Sequence, residues 1–188
     1  MAHRLSISSI SATALILATL AATPALAAVA INVYGPGAPV AILVRTGNPK
    51  GIRGFRDLLA PGVKVLIVAG AQQTGLWEDV AGRTGDIAMV RSFRKNMVLP
   101  EATNSGAAKE QWVQQKDIDA WLLWNLWQVV NPELAQLVEM DEPFRIYRDA
   151  GVVLTRKGSN EPQARAFVTF LQSPAGQKIF AKWGWDAR

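Results

Sequence analysis

The loop from Gly70 to Gly75 is the strongest local indication of binding chemistry in the sequence. It follows an apolar strand and opens a helix, and its two glycines have the spacing of a phosphate-binding loop. Leucine and tryptophan follow Gly75, where such a loop carries lysine and then serine or threonine. The loop therefore lacks the lysine and the magnesium-binding hydroxyl that nucleoside-triphosphate chemistry requires. The backbone amides and the helix dipole could still hold an anion, with Gln73 and Thr74 as added donors. An ordinary turn capped by Thr74 is the alternative.

A second helix start of the same kind lies at residues 103–106, where the sequence reads Thr-Asn-Ser-Gly. A strand ends, small polar residues follow and a helix begins, although a plain helix cap would explain this segment by itself. Two uncharged, donor-rich helix starts in one small α/β domain favour an anion cleft more than either does alone. The Gly-Pro-Gly sequence at 35–37 is a third strand-end loop, with a weak pattern.

Trp124 and Arg148 are single residues whose positions suggest a role in binding. The chain has seven tryptophans, and core filling accounts for most of them. Trp124 differs because it ends a predicted strand beside Asn125, and open α/β sheets bind ligands at the carboxyl ends of their strands. Arg148 interrupts an apolar extended stretch, and a buried arginine beside an anion would act as a bidentate clamp. An ion pair with Asp149 is the alternative.

Composition excludes several classes of function. The chain has no cysteine, and its one histidine, His3, lies in the predicted export signal described below. A mature chain without either residue cannot build a Ser-His-Asp triad, a Cys-His pair or an imidazole metal site. The carboxylates form no convincing acid/base pair, so we expect no enzyme activity, no catalytic residue, no metal and no cofactor. The net charge is +5, but the charged residues form no block of like sign along the chain. The sequence therefore gives little support for a nucleic-acid partner.

The N-terminus has the layout of a secretory signal. A positive start is followed by an apolar run of about 11 residues and by small residues ending in Ala25-Leu26-Ala27, an A-x-A cleavage site. The alternative is a membrane anchor, but the run is short of the roughly 20 residues that span a bilayer. We therefore predict a signal peptide over residues 1–27, a periplasmic location and no stable membrane insertion.

Strands and helices alternate along the rest of the chain, which predicts an α/β fold with a largely parallel sheet. Strands are predicted at 29–34, 39–45, 63–69, 97–100, 119–124, 137–140 and 146–155. Helices are predicted at 52–59, 74–82, 86–96, 105–115 and 125–130. Two terminal helices follow, the first with a capping box from Asn160 to Gln163 and the second with Ser173 as its cap and Pro174 at its first position.

Several segments together resemble the AcfC-like (accessory colonisation factor C) periplasmic proteins, which are similar to molybdate- and sulfate-type solute-binding proteins. The segments are VYGPG (33–37), AILVR (41–45), GNPK (47–50), QTGLWED (73–79), DAWLLWN (119–125), YRD (147–149) and FLQS (170–173). The resemblance implies a type II periplasmic-binding-protein fold, with two lobes of mainly parallel sheets joined by crossing strands. It also implies that a small anion binds between the lobes without catalysis, and that an ABC permease is the partner in uptake.

The resemblance also implies which residues bind. The anion would be a sulfate- or molybdate-like oxyanion or a small carboxylate or phosphorylated compound. The implied ligand contacts are Gln73, Thr74, Gly75, Asn104, Ser105 and Gly106, with Trp124, Asn125, Arg148, Tyr34, Gly35 and Gly37 near the cleft.

The departure from the family pattern lies at residues 37–39. In the family, helices and further strands of the first lobe separate the first strand from the Ile-Leu-Val-Arg segment, whereas here Gly-Ala-Pro joins the two. We therefore expect residues 28–48 and 146–188 to form a remnant of lobe 1, and residues 49–145 to form lobe 2. A natural deletion and a gene-model artefact both explain the gap. The alternative function is an exported interaction or colonisation-associated protein that keeps the fold but has lost its ligand.

Overall fold

The computed structural model describes residues 37–70, 73–149 and 151–185. The predicted signal peptide, the predicted strand at 29–34 and the candidate residues Tyr34 and Gly35 lie outside the described residues. Within them the chain is an α/β structure, which confirms the predicted class, but the sheet has one parallel and three antiparallel strand pairs where a largely parallel sheet was expected.

Five strands form one sheet. They are β1 (Gly37–Val44), β2 (Val65–Leu66), β3 (Ala120–Trp124), β4 (Gln136–Glu139) and β5 (Tyr147–Asp149). The order is β2-β3-β1-β4, and β5 pairs with the start of β1. β2 and β3 are parallel, whereas β1 runs antiparallel to β3, β4 and β5. The long strand β1 thus joins β5 through residues 37–39 and the rest of the sheet through residues 40–44.

Seven α-helices and two short 3-10 helices accompany the sheet in the described residues. The helices are α1 (Leu76–Ala81), α2 (Ile87–Asn96), α3 (Ser105–Gln114), α4 (Leu126–Val130), α5 (Arg156–Ser159), α6 (Pro162–Gln172) and α7 (Pro174–Lys182). The 3-10 helices are Phe55–Leu59 and Glu142–Phe144. None of these helices combines the length and the apolar character needed to cross a bilayer.

The sheet has a core on each face because its central strands are apolar at every position. On β1, Val40, Ile42 and Val44 face one cluster, which contains Phe55, Phe93 and Phe144. Leu43 faces the other cluster, which contains Leu66, Trp112 and Trp121. Alternate residues of a strand point to opposite faces, so a continuous apolar run indicates a strand that is covered on both sides.

Some local expectations were wrong. The segment predicted as a helix over 52–59 is the 3-10 helix Phe55–Leu59. The segment predicted as a strand over 97–100 contributes one parallel bridge, from Met97 to Val65, and a second such bridge joins Ala102, beyond its end, to Val68. The capping box at Asn160 does not form, because Asn160 ends α5 and Glu161 precedes α6 without a side-chain cap.

The C-terminal helices, which we define as α5, α6 and α7, have a much smaller core than the sheet. Leu154 and Val168 are its buried members. Several large apolar side chains of α6 and α7 are exposed, namely Phe167, Phe170 and Ile179. The predicted cap of α7 is confirmed, because the Ser173 side chain accepts a hydrogen bond from the Gly176 amide and Pro174 follows it.

Candidate functional site

The carboxyl ends of the parallel strands meet at one edge of the sheet, which we call the strand-end edge (residues 70, 73–75, 103–106, 124 and 125). The amide of Ala69 donates to the carbonyl of Ala102 at 2.9 Å, and the amide of Ala102 donates to that of Ile67 at 3.0 Å. This pairing brings the ends of the two segments together. A Cβ on Gly70 would lie 2.4 Å from the carbonyl oxygen of Thr103, so glycine is required there.

Gln73 and Ser105 connect the two predicted helix starts directly. Gln73 is 1% exposed, and its Nε2 donates a hydrogen bond of 2.9 Å to Ser105 Oγ. Its Oε1 is buried and has no hydrogen-bond partner among the described residues. Since the amide nitrogen is already used by Ser105, the structure gives Gln73 the geometry of a residue that positions the serine hydroxyl.

The start of α1 differs from the expected threonine cap. Gly75 is the N-cap residue, in the left-handed conformation with φ of 77°, and the start has no side-chain cap. Thr74 instead donates from Oγ1 to the carbonyl of Ala69 at 2.9 Å. Glycine adopts this backbone conformation without the steric cost that other residues have. No side chain therefore caps the first amides of α1, and the first of them, that of Leu76, donates to the carbonyl of Gln73 at 3.0 Å.

The start of α3 is capped, as the alternative interpretation of residues 103–106 predicts. Asn104 Oδ1 accepts a hydrogen bond of 3.0 Å from the amide of Ala107, and its Nδ2 donates to Thr103 Oγ1 at 3.3 Å. Ser105 and Gly106 form the first turn beyond the cap. The Asn104 oxygen therefore serves the helix, which leaves the Ser105 hydroxyl as the side chain of this segment that meets the other loop.

Trp124 and Asn125 close the strand-end edge on the side of β1. Trp124 ends β3 opposite Val40 and is buried. The Asn125 amide donates to the carbonyl of Pro39 at 3.0 Å, and its Nδ2 donates to the carbonyl of Gly184 at 2.6 Å. Its Oδ1 is buried without a partner among the described residues. The predicted residue Gly37 begins β1 and pairs with Asp149 of β5, which places it one step from Arg148.

Arg148 reaches the same edge from β5, but it is not the buried clamp that the sequence suggested. Its side chain is 47% exposed, and its partner is Asp79 of α1, with Nη2 3.4 Å from Oδ2. The guanidinium carbon lies 5.8 Å from the centre of the Trp124 ring. β5 lies at an edge and pairs with the start of β1, which leaves the long side chain in contact with solvent. Sequence analysis missed Asp79, because the pair joins residues 69 positions apart.

A cavity of about 420 Å³ lies next to this edge and shares one residue with it, Asn125. Its walls come from β1, β4, β5 and the end of the described chain, and include Val40, Leu137, Arg145, Tyr147 and Trp185. Asn125 therefore belongs both to the strand-end edge and to the wall of the cavity. The predicted residues at 73–75 and 104–106 do not line it.

The strand-end edge carries groups that can donate hydrogen bonds. Its side chains are hydroxyls, amides and one half-exposed arginine with a carboxylate partner. Across the part of the chain that the structure describes, no three His, Cys, Asp or Glu side chains come together in a way that could hold a metal ion. Neutral donors and helix starts of this kind suit oxyanions, which need no full counter-charge when enough donors converge.

Comparison with known proteins identifies relatives of this chain. The family model described as bacterial extracellular solute-binding protein matches residues 9–186. The sulfate-binding protein of Escherichia coli K12 is 29% identical over 170 residues, covering 76% of this chain and 49% of the relative. The chain thus spans about half the length of the curated relatives it matches.

Solved structures agree with this relationship. PEB3 of Campylobacter jejuni, in a crystal structure with bound L-phospholactate, is 31% identical with a TM-score of 0.71, covering 81% of this chain and 67% of that one. The sulfate-binding protein SubI of Mycobacterium tuberculosis has 22% identity and a TM-score of 0.66, covering 81% and 57% respectively. At that identity the second match speaks for the fold alone.

Proposed function

This chain belongs to the bacterial extracellular solute-binding proteins, and we propose that it binds a small anion at the strand-end edge. The anion is a sulfate- or molybdate-like oxyanion or a small carboxylate or phosphorylated compound. Binding serves an ABC-type uptake system, in which the partner is a permease and no reaction takes place on the ligand. We propose further that the chain is an AcfC-like member of the family.

The observation that carries this proposal is the hydrogen bond between Gln73 and Ser105. It joins two loops that are 32 residues apart in sequence, and it turns two separate helix starts into one donor-rich edge. Gln73 is almost fully buried, so the position of the Ser105 hydroxyl is fixed before a ligand arrives. Donors that are held in place in advance lose little entropy when they bind.

The relatives support an oxyanion as the ligand. The Escherichia coli relative is named for sulfate, and the PEB3 structure contains L-phospholactate. Both ligands carry a tetrahedral group of oxygen atoms that accept hydrogen bonds. The Ser105 hydroxyl and the backbone amides of the two helix starts match such a group without a lysine or a metal.

Titration calorimetry on the mature protein tests the proposal. Sulfate, molybdate, phosphate and L-phospholactate are compared at constant ionic strength with chloride as the reference anion. We expect at least one of them to bind, and Ser105→Ala to weaken that binding about tenfold, the loss of one hydrogen bond to a charged group. Ser159→Ala is the matched control, because Ser159 lies on α5 and donates to the carbonyl of Arg156. Absence of binding by every anion rejects the proposal.

Export and the two-lobe organisation complete the proposal. Residues 1–27 would be removed as a signal peptide, and intact-mass measurement after expression in a Gram-negative host would then find a chain beginning at Ala28. Residues 28–48 and 146–188 form lobe 1, and residues 49–145 form lobe 2. Residues 37–39 of β1 pair with β5 of the proposed lobe 1, whereas residues 40–44 pair with β3 and β4 of the proposed lobe 2, which suits a strand that crosses from one lobe to the other.

One observation favours a second candidate function. The C-terminal helices expose large apolar side chains, and the chain spans about half the length of its curated relatives. A protein that kept the fold and lost its ligand through an internal deletion would have these features, and would act as an exported interaction or colonisation-associated protein. A folded protein that gives no heat with any anion of the panel supports this second candidate.

A further inference from the structure

Arg148 and Asp79 form an ion pair between two elements that are distant in sequence, and the pair lies at the strand-end edge. Arg148 is on β5, opposite Ala38 of β1, and its guanidinium lies over the ring of Trp124. Asp79 is on α1, one helical turn beyond Gly75, because its amide donates to the Gly75 carbonyl at 2.9 Å. Arg148 is therefore held by a carboxylate that lies one helical turn beyond the loop proposed to bind the anion.

This ion pair is a weak contact by the standards of the same molecule. One distance of 3.4 Å joins the two side chains, which are 47% and 58% exposed. Arg45 shows what a structural arginine looks like here, since its guanidinium donates to three backbone carbonyls and stacks on Trp112 at 3.6 Å. Exposed single-contact pairs contribute little to stability, so the Asp79 contact breaks at small cost.

The contact of Arg148 with the Trp124 ring can keep the arginine in place when its contact with Asp79 is broken. The guanidinium lies 5.8 Å from the centre of the buried Trp124 ring, within the range of cation–π attraction. Trp124 is anchored at the end of β3, so the arginine has a fixed surface over which it can turn. A guanidinium carries five N–H donors, and it can exchange one carboxylate for another anion without leaving the ring.

We propose that Asp79 is a built-in competitor that holds Arg148 in the unliganded protein and releases it to the bound anion. This inference rests on the anion-binding function proposed above. Asp79 lowers the observed affinity, because part of the protein has its arginine occupied and each ligand must displace a carboxylate. It also sets a threshold of selectivity, since a weakly charged ligand does not displace Asp79 as well as a fully charged oxyanion.

The test is a set of charge-neutralising variants, measured by calorimetry with the anions of the panel above. Asp79→Asn is expected to raise the association constant about threefold to tenfold, and Arg148→Gln to lower it about tenfold or more. In the double variant, Asp79→Asn is expected to have little effect, because the arginine for which it competes is gone. Both side chains are half-exposed, so the midpoint of thermal unfolding should change little in either variant.

Glu78→Gln is the matched control for simple charge repulsion. Glu78 is the neighbouring carboxylate on α1, and it makes no ion pair among the described residues. The inference is overturned if Glu78→Gln raises the affinity as much as Asp79→Asn does, or if Asp79→Asn has the same effect with and without Arg148. If neither the parent protein nor any variant binds an anion, the proposed function fails and the inference fails with it. Binding by Asp79→Asn alone supports both.

Discussion

The sheet and the C-terminal helices of this chain both contain large apolar side chains, but they bury them to different degrees. Each face of the sheet has its own core, and the residues of β1 alternate between the two. The C-terminal helices share a core whose buried members are Leu154 and Val168, while Phe167, Phe170 and Ile179 remain exposed. An apolar pattern therefore indicates which face of a helix or strand can be buried, but it does not indicate how much of that face the rest of the chain buries.

Different forces should consequently hold the two regions. In the sheet, burial of large side chains dominates the free energy of unfolding. In the C-terminal helices, local signals such as the Ser173 cap and Pro174 account for a larger share, because they work without tertiary contacts. Matched substitutions in the two regions test this difference.

The largest difference is expected between two phenylalanines. Phe55 is fully buried, with its ring 5.4 Å from that of Phe93 and 4.6 Å from that of Phe144. Phe55→Ala should lower the free energy of unfolding by about 3–5 kcal/mol, because a cavity remains where the ring was. Phe167 is 58% exposed, and Phe167→Ala should change the free energy of unfolding by about 0.5 kcal/mol or less. Urea unfolding followed by circular dichroism measures both.

Equal costs for the two substitutions would contradict the comparison, since they would mean that Phe167 is covered in solution. In that case, repeating the measurement over a range of protein concentrations distinguishes a second copy of the chain from cover within one chain. A concentration-dependent midpoint indicates association.

The next largest effect is expected at Arg45, a polar connection within the sheet region. Its Nε, Nη1 and Nη2 donate to the carbonyls of Ile118, Trp112 and Gln115 at 2.8, 2.9 and 2.6 Å. Arg45→Ala leaves these carbonyls without their donor and should cost about 2–3 kcal/mol in the same urea experiment. Arg45→Lys should recover only part of this, because an ammonium cannot reproduce the planar fork of donors. Full recovery by lysine would show that charge alone matters at this position.

Loss of a helix cap should lower helix stability by an intermediate amount, and a different measurement should detect the loss in each region. Asp86 caps α2 by accepting from the Ala88 amide at 2.8 Å, and Ser173 caps α7 by accepting from the Gly176 amide at 3.2 Å. Each change to alanine should cost about 1 kcal/mol of helix stability. Asp86→Ala should move the main unfolding transition, whereas Ser173→Ala should chiefly raise amide hydrogen exchange in α7. A shift of the main transition by both variants would mean that the two regions unfold as one unit.

Local features of the fold were accessible from the sequence, and contacts between distant segments were not. The helix Ser105–Gln114 and the strand Ala120–Trp124 agree with expectation because a cap and an apolar run specify them locally. The 3-10 helix Phe55–Leu59 was expected as an α-helix, since its apolar spacing suits either form.

The candidate site shows the same division. Sequence patterns identified the segments around Gln73 and Ser105, but only the fold brings these two side chains within hydrogen-bond distance. Arg148 was singled out as an interruption of an apolar stretch, yet its exposure and its pairing with Asp79 depend on how β5 lies against β1. Residue types and spacing indicate the chemistry that is available, whereas the partners are decided by tertiary structure.

The smallest effect is expected from a surface carboxylate, and it should appear as a dependence on pH. The backbone amide of Arg53 donates to Asp57 Oδ2 at 2.8 Å and the Arg53 guanidinium adds a second contact, which together lower the pKa of Asp57 below its ordinary value. Because the folded pKa is depressed, the stabilisation is present above the unfolded pKa of about 3.9 and is lost as the pH falls through the folded value.

Asp57→Asn should therefore lower the free energy of unfolding by about 0.3–0.5 kcal/mol at pH 7, the range for an exposed pair of this spacing. The difference from the parent protein should close between about pH 5 and pH 3, since protonation removes the charge that the variant lacks. Urea midpoints at pH 7, 5, 4 and 3 measure this gap. Asp57 lies on the 3-10 helix beside Phe55, so the effect should follow the main transition of the sheet. A gap that stays constant, or that widens in acid, would mean that the amide contacts act through shape and not through charge.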